Sequence, residues 1–288
     1  MRVFGLKDVS LTAKQAVALG YFDGGHLGHA ALLKKTVEEA KRLGCESAVF
    51  SFHTLPTKSG APLSTQEDRL AFFADKGIEN VILAHFEELR SLTPEAFVSL
   101  LEERCCARLA LCGFNFRFGA GASGDSALLC RLLPESIVLP PFLYGGAPVS
   151  ASRIREALLS GAVEDAAAML GRPYTVSGTV SHGKEMGRTL GFPTANIAPE
   201  TLLPRHGVYK TAVELDGTLY TGLTDVGVRP TVEGDGCARV ETFLQGFSGD
   251  LYGKTLKISF LSFLREEKKF ASVSKLQAQI AEDLKRCK

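Results

Sequence analysis

Two histidines at the start of a predicted helix are the first residues in this sequence with an evident chemical use. His26 and His29 close the segment Gly20-Tyr21-Phe22-Asp23-Gly24-Gly25-His26-Leu27-Gly28-His29, between a strand-like and a helix-like run. A helix N-terminus at the end of a parallel strand attracts anions, and glycines let backbone approach a phosphate closely. We therefore predict a phosphate site with both histidines as catalytic donors; a glycine turn with two surface histidines is the simpler alternative. The other predicted phosphate-binding residues here are Gly20, Phe22, Asp23, Gly24 and Gly28.

A second group of reactive residue types lies in the last third of the chain. Thr194 and Asn196 offer a hydroxyl and a carboxamide oxygen, which suit Mg²⁺ when phosphates complete its coordination. Glu241, in a strand-like run, could receive a proton from a substrate hydroxyl, although a strand glutamate more commonly only faces solvent. The preceding segment is rich in glycine without being a P-loop. We expect it to be a pliable phosphate-binding flap formed by Gly183, Gly187 and Gly191.

Two weaker segments belong to the first half of the chain. Aromatic residues surround Asn115 and Arg117, a combination that suits stacking and hydrogen bonding to a flat heterocycle. Further on, Ser152 can cap a helix whose Arg155 can reach a phosphate. Each has an ordinary alternative, namely the edge of an aromatic core and a capped helix with exposed arginines.

The elements that must position these residues change in pattern near residue 170. Earlier apolar runs alternate with helix-like stretches, which predicts a parallel sheet covered by helices, with strands at 15–20, 47–52, 80–84, 108–112 and 137–139. Later runs are short, β-rich and divided by turns, which predicts a compact antiparallel barrel with strands at 174–180, 207–215, 218–224, 239–244 and 255–261. A helix at 273–285 follows. We therefore expect domains at 1–170 and 171–288.

Capping residues predict where two helices of the first domain begin. Ser64, with Glu67 three residues later, forms the signature of a capping box that opens a helix through Lys76. Thr93 followed by Pro94 predicts a second helix, with threonine as N-cap and proline at the first helical position.

Composition excludes several classes of function. Lys and Arg total 33 against 32 Asp and Glu, so the net charge gives no field for a nucleic acid or an anionic membrane. We expect neither a signal peptide nor a membrane span, because no apolar run approaches about 20 residues. The 7 cysteines are odd in number and lack C-x-x-C spacing, which indicates reduced thiols in a cytoplasmic protein without a zinc site. No obligate protein partner is evident.

These segments carry a resemblance to known families. Gly20–His29 resembles the H-x-G-H signature of the nucleotidyltransferase superfamily, and Val149–Arg155 is similar to its I-S-S-T-x-I-R pattern. The second half resembles riboflavin kinase along that module's whole length, through Gly191–Asn196, Gly207–Tyr209, Gly227–Thr231, Val240–Thr242 and Asp250–Gly253. This order of modules is similar to that of the bifunctional riboflavin kinase/FMN adenylyltransferases, the prokaryotic FAD synthetases.

The resemblance implies a Rossmann-like α/β nucleotidyltransferase domain followed by a small antiparallel β-barrel kinase domain with a C-terminal helix. ATP would phosphorylate riboflavin to FMN and then adenylylate FMN to FAD, releasing pyrophosphate. Glu241 would activate the ribityl 5′-hydroxyl, while Thr194 and Asn196 hold Mg²⁺ against ATP. In the first domain His26 and His29 would stabilise the ATP phosphates. The remaining implied roles are a phosphate grip by Ser152 and Arg155 and flavin placement by Asn115 and Arg117.

Three positions in the first half depart from the family pattern. Phe52-His53-Thr54 keeps only the histidine of a Pro-His-Pro stretch, Ala120 stands where lysine is common, and Ala151 replaces a serine. Two alternatives therefore stay open: a riboflavin kinase with weak or lost adenylyltransferase activity, and a flavin-binding regulator without turnover. The magnesium ligands and the base disfavour the regulator, because a sensor needs neither.

Overall fold

The computed structural model describes residues 1–9, 11–54, 60–181, 194–228 and 238–287. Contacts divide the chain into two compact units, Met1–Ala151 and Ser152–Lys288. The first unit contains a parallel sheet with intervening helices, and the second contains an antiparallel sheet and a C-terminal helix. The α/β plus β fold class predicted from the sequence is confirmed.

The first unit is built on a parallel sheet in the strand order β1-β4-β3-β2-β5-β8, with two short hairpins, β6–β7 and β9–β10, beside it. Its strands are β1 (Arg2–Gly5), β2 (Gln15–Leu19), β3 (Glu46–Phe52), β4 (Asn80–Ala84), β5 (Ala107–Gly113), β6 (Arg117–Phe118), β7 (Gly124–Asp125), β8 (Ser136–Leu139), β9 (Leu143–Tyr144) and β10 (Ala147–Pro148). Its helices are α1 (Leu27–Leu43), α2 (Gln66–Asp75), α3 (Phe86–Leu89), α4 (Pro94–Cys105) and α5 (Ser126–Leu132).

The central strand β2 is buried along its whole length because helices cover both faces of the sheet. Its alternate residues feed two separate apolar cores. Val17 and Leu19 pack in one core with α4 and α5, whereas Ala16 and Ala18 pack in the other with α1 and α2. This burial fixes the carboxyl end of β2, from which the glycine-rich segment continues.

Two predicted helix starts had different outcomes. Thr93 caps α4 as predicted, since its hydroxyl accepts a hydrogen bond from the backbone N–H of Ala96 at 3.2 Å. The predicted Ser64–Glu67 capping box is wrong by one residue, because the box is formed by Thr65 and Asp68. Ser64 is engaged elsewhere: its hydroxyl lies in the glycine-rich segment's hydrogen-bond network.

The second unit is an antiparallel sheet in the strand order β11-β16-β13-β14-β15-β12. Its strands are β11 (Tyr174–Thr179), β12 (Thr194–Ile197), β13 (Gly207–Leu215), β14 (Thr218–Val228), β15 (Ala238–Leu244) and β16 (Thr255–Arg265). Its helices are α6 (Ala151–Ser160), α7 (Val163–Leu170) and α8 (Val273–Arg286). The sheet curls so that its edges approach: the backbone N–H of Ser181, just beyond β11, donates to the carbonyl of Asn196 in β12 at 2.9 Å.

The assignment of residues 152–170 differs between the two ways of dividing the chain. The change in sequence pattern predicts that they end the first domain, whereas contacts group them with the second unit, where α7 packs against β11 and β16. The boundary at 170/171 stays a prediction.

Three fully buried threonine hydroxyls join neighbouring strands inside the second unit. Thr224 Oγ1 lies 2.7 Å from Thr211 Oγ1 and 2.7 Å from Thr242 Oγ1. Gly222 makes room for this chain, because a Cβ there would lie 2.4 Å from Thr211 Oγ1. Buried hydroxyls that satisfy one another lock the relative positions of β13, β14 and β15.

A buried ion pair attaches α8 to the sheet. Asp283 has no exposed surface, and its Oδ2 accepts from Arg265 Nε at 2.9 Å and Nη2 at 2.8 Å. Gln279 donates to the other carboxylate oxygen at 2.9 Å. Apolar contacts with Leu223 and Phe243 accompany the pair, so α8 covers part of the outer face of β14 and β15.

Two further observations concern the cysteines and the lengths of the helices. The cysteines in the described ranges are free, whereas Cys237 lies outside them. Of the helices among the described residues, none combines the length and the apolar character that crossing a bilayer requires.

Asp283→Asn should destabilise the second unit, because it leaves the Arg265 guanidinium buried without a counter-charge. Removing one partner of a buried ion pair costs about 3–5 kcal/mol. The measurement is the free energy of unfolding from urea titration followed by circular dichroism. Asp216→Asn is the matched control, since Asp216 pairs with Lys254 in an exposed turn and asparagine tolerates its left-handed backbone conformation. An equal effect of the two substitutions would contradict the buried role of Asp283.

Candidate active sites

The first candidate site is the histidine pair at the start of α1. His26 is the N-cap, and its Nδ1 accepts a hydrogen bond from the backbone N–H of His29 at 3.3 Å. The two imidazole rings stack with centroids 3.6 Å apart and planes 15° apart. The predicted catalytic histidines are therefore in contact, at a helix N-terminus whose unpaired N–H groups favour an anion.

His29 carries the feature that most directly indicates a ligand. Its Nδ1 atom is buried and has no hydrogen-bond partner in the described part of the chain. Burial, and secondarily the charge of His26, hold the pKa of His29 well below its usual value. The ring is therefore neutral at neutral pH, and a buried nitrogen without a partner is costly unless a ligand supplies one.

The loop before the pair is fixed by side chains that face the protein. Phe22 adopts a left-handed conformation with φ 57°, is fully buried, and contacts both Phe73 and His29 with ring centroids 5.2 Å and 5.1 Å away. Asp23 is also buried; its Oδ1 accepts from the backbone N–H of Leu63 at 2.9 Å and of Ser64 at 3.2 Å. Both side chains position the loop, and their direct contact with ATP stays a prediction.

The glycines of this loop have separate structural reasons. Gly24 has φ 73°, and its N–H donates to Ser64 Oγ at 2.9 Å. At Gly28 a Cβ would lie 3.2 Å from the ring of His26, so a side chain there would displace the imidazole. Gly20 directly follows β2 and lies close to the Phe22 ring. Phosphate contact by these glycines remains a prediction.

Asn115 and Arg117 lie at the same edge of the sheet as the histidine segment. They follow β5, which pairs in parallel with β2, so the carboxyl ends of both strands meet there. Both residues are exposed, and Phe114 beside them is 44% exposed. An amide, a cation and an aromatic ring are therefore accessible close together in sequence, as the predicted flavin-binding role requires.

The other residues predicted for phosphate binding are Ser152, Arg155 and three glycines of the second half of the chain. Ser152 is exposed and Arg155 is half-buried at the start of α6, which is grouped with the second unit. Gly183, Gly187 and Gly191 lie outside the described residues. Their roles stay predictions from the resemblance.

The second candidate site is a row of polar side chains across three strands. Asn196 in β12 lies opposite Glu241 in β15, and Glu241 lies opposite Asp225 in β14. Residues directly opposite in antiparallel strands share one face of the sheet. Thr194, two residues before Asn196, lies on that face as well. The structure therefore brings together the predicted base and both predicted magnesium ligands.

Hydrogen bonding in this row fits the predicted magnesium ligands. The hydroxyl of Thr194 donates to Glu241 Oε1 at 2.6 Å, so its oxygen lone pairs remain available. The carboxamide of Asn196 has no hydrogen bond to the residues described. Two neutral oxygen ligands on one strand suit Mg²⁺, which usually takes few protein ligands besides phosphates and water.

Sequence reasoning missed Asp225 at this site. Its carboxyl is about two-thirds buried, with 31% of its side chain exposed. Burial, followed by the nearby carboxyl of Glu267, raises the pKa of Asp225 to about 7, against the opposing charge of Arg239. The residue could be found only from strand register, because no local motif connects position 225 to position 241.

Both arrangements suit the transfer of phosphate groups, so fold and sites define a transferase with two separate modules. The family model for FAD synthetase matches residues 9–153, and that for riboflavin kinase matches residues 170–288. Curated proteins named bifunctional riboflavin kinase/FMN adenylyltransferase are 35% identical in Pseudomonas fluorescens, covering 98% of this chain and 95% of the relative. The Escherichia coli K12 relative is 34% identical, covering 97% and 94%. That of Listeria monocytogenes is 31% identical, covering 93% and 90%.

The chain belongs to the bifunctional riboflavin kinase/FMN adenylyltransferase family. It is an enzyme that uses ATP to phosphorylate riboflavin to FMN and to adenylylate FMN to FAD. The same fold occurs in a solved structure from Streptococcus pneumoniae described as a macrolide-efflux protein. That structure has a TM-score of 0.91 and 29% identity, covering 99% of this chain and 97% of the other.

The stability of the second unit should depend on the protonation of Asp225. The folded protein keeps this proton up to about pH 7, whereas an unfolded aspartate releases it near pH 4, at about its usual pKa. The proton therefore stabilises the folded state fully below about pH 4, and this contribution is lost as the pH rises towards 7. Asp225→Asn should lack it. We expect the melting temperature of the native protein to fall more between pH 5 and pH 7.5 than that of the variant; parallel profiles would exclude the shift.

Proposed function

We propose that the two reactions are divided between the two sites, with riboflavin phosphorylation at Glu241 and adenylyl transfer at the histidine pair. The hydrogen bond between Thr194 and Glu241 carries this assignment, because it joins a predicted metal ligand to the predicted base. The free cysteines in the described residues support a reducing compartment, and we place the enzyme in the cytoplasm.

For the kinase reaction, Glu241 accepts the proton of the ribityl 5′-hydroxyl as that oxygen attacks the γ-phosphate of ATP. Thr194 and Asn196 hold Mg²⁺ through a hydroxyl and a carboxamide oxygen. Mg²⁺ held there would supply positive charge for the transferred phosphoryl group. The donated Thr194 hydrogen bond orients the Glu241 carboxylate, so that base and metal ligands keep one fixed geometry.

For the adenylyl transfer, the phosphate of FMN attacks the α-phosphate of ATP, and pyrophosphate leaves. His26 and His29 donate hydrogen bonds to the phosphates at the N-terminus of α1, where the helix dipole also favours negative charge. The partnerless Nδ1 of His29 supports this role, since a phosphate oxygen can complete its hydrogen bonding. Asn115 and Arg117 place the flavin.

The assay that tests the division supplies purified protein with riboflavin, ATP and Mg²⁺ and resolves the products by chromatography. Formation of both FMN and FAD supports two active sites. FMN without FAD, also when FMN is supplied directly, would leave the kinase site alone and favour the kinase with lost adenylyltransferase activity.

Glu241→Gln should reduce FMN formation by roughly 10²–10⁴-fold, because the amide cannot accept the hydroxyl proton. FAD formation from supplied FMN should stay at the native rate. The control is Glu214→Gln. Glu214 lies on β13, away from the polar row, and its carboxylate pairs with Lys257 of β16. Loss of both reactions in the Glu241 variant would overturn the assignment to separate sites.

His29→Ala should reduce FAD formation by about 10²–10³-fold, the scale of one lost donor to a charged transition state. FMN formation should be unchanged. The matched control is His206→Ala, which removes an exposed histidine of the second unit. A His29 variant that makes FAD at the native rate would exclude its role as a phosphate donor.

A further inference from the structure

Both oxygens of the Glu241 carboxylate have a donor, one on each side. Oε1 accepts from the Thr194 hydroxyl at 2.6 Å, and Oε2 forms an ion pair with Arg239 Nη1 at 3.1 Å. A carboxylate contacted at only one oxygen can still rotate about its terminal bond. Two opposed donors fix the plane of the group and therefore the direction of its remaining lone pairs.

Arg239 reaches Glu241 along the strand that carries both. The two residues are two positions apart in β15, so their side chains leave the same face of the sheet. Their side chains are 33% and 24% exposed, which removes part of the solvent screening that weakens a surface pair. Neither Thr194 nor Asn196 can supply the positive charge of this contact.

Arg239 also lies near a second carboxyl group. Its Nη2 lies 3.9 Å from Asp225 Oδ2, and the carboxyl of Glu267, which follows β16, interacts with Asp225. Gly227 allows this approach, since a Cβ there would lie 2.4 Å from Glu267 Oε1. The guanidinium therefore spans Glu241 and Asp225 with its two terminal nitrogens.

The cluster around Arg239 contains more carboxyl groups than cations. Asp225, Glu241 and Glu267 bring three carboxyl groups to the described part of the cluster, where Arg239 is the cation that interacts with the first two. Without it, Glu241 would face the neighbouring carboxyl groups with no cation between them in the described part of the cluster. A charged partner with a planar fork of donors prevents this and keeps both carboxyl groups in place.

We infer that Arg239 is a positioning residue for Glu241: it orients the carboxylate that accepts the riboflavin hydroxyl proton. The inference rests on the proposed role of Glu241 as the base. Arg239 contacts neither reacting oxygen in this role and acts only through the carboxylate. A small loss of alignment between a base and its substrate can cost about 10²-fold in rate.

Arg239→Gln should lower kcat for FMN formation by roughly 10–100-fold, because the carboxylate loses its second donor. KM for riboflavin and for ATP should change less than about threefold, since ground-state contacts remain. Arg239→Lys should fall between the native protein and the glutamine variant, because it keeps the charge but cannot span both carboxyl groups. Lys257→Gln is the control, as it removes an exposed cation that pairs with Glu214 on the same sheet.

A double variant separates positioning from a general structural effect. In the Glu241→Gln background, Arg239→Gln should change the residual FMN rate by less than about threefold, because residues that act as a unit are not additive. A structural defect would multiply with the first loss. Melting temperatures and FAD formation from supplied FMN, recorded for all variants, show whether the protein is folded.

The possible results separate a failure of the positioning role of Arg239 from a failure of the proposed role of Glu241 as the base. A native protein without FMN formation, or a fully active Glu241→Gln variant, would overturn the role of Glu241 and this inference with it. A sensitive Glu241 combined with native kcat in both Arg239 variants would overturn the inference alone. Multiplicative losses in the double variant would do the same, because Arg239 would then act through another group.

Discussion

The pairing of β12 with β15 places Asn196 opposite Glu241, and the kinase chemistry that we propose for these residues depends on that register. Side chains alternate between the two faces of a strand, so a slip of one residue would turn Thr194 and Asn196 away from the carboxylate. Backbone hydrogen bonds, continued through Ser181 at the curled edge, therefore decide which side chains can meet. The buried threonine chain fixes the neighbouring strands in the same register.

The first unit obtains its geometry from burial rather than from register. Apolar packing on both faces fixes the end of β2, and Phe22 closes the loop by inserting its ring beneath His29. Asp23 then ties that loop to residues 63 and 64. The same packing buries Nδ1 of His29 without giving it a hydrogen-bond partner among the described residues.

Element types could be predicted from the sequence because their patterns are local. The β-rich run predicted at 207–215 is a strand with the same bounds, and a threonine followed by proline marks the start of α4. Strands β14 and β16 run further than predicted, to Val228 and Arg265, because pairing with neighbours extends them beyond their apolar runs. The capping box shifted because Ser64 serves the loop at Gly24, which is distant in sequence.

The site residues also divide into those that a local segment reveals and those that depend on strand pairing. Glu241 and the pair Thr194 and Asn196 lie in recognisable segments, so resemblance finds them. Asp225 and Arg239 carry no motif, and their use depends on which strands lie side by side. Alternation alone places Arg239 on the face of Glu241, but nothing local shows that a second carboxyl group would lie across from it.

The ion pair between Arg265 and Asp283 also determines when α8 can dock during synthesis of the chain. A nascent chain that has completed β16 already carries the arginine, while its partner is still eighteen residues from being made. Until α8 emerges, the guanidinium must stay hydrated and the outer surface at Leu223 and Phe243 stays uncovered. Docking of α8 onto the sheet is therefore a late event of synthesis, whereas the first unit is complete earlier and can fold first during translation.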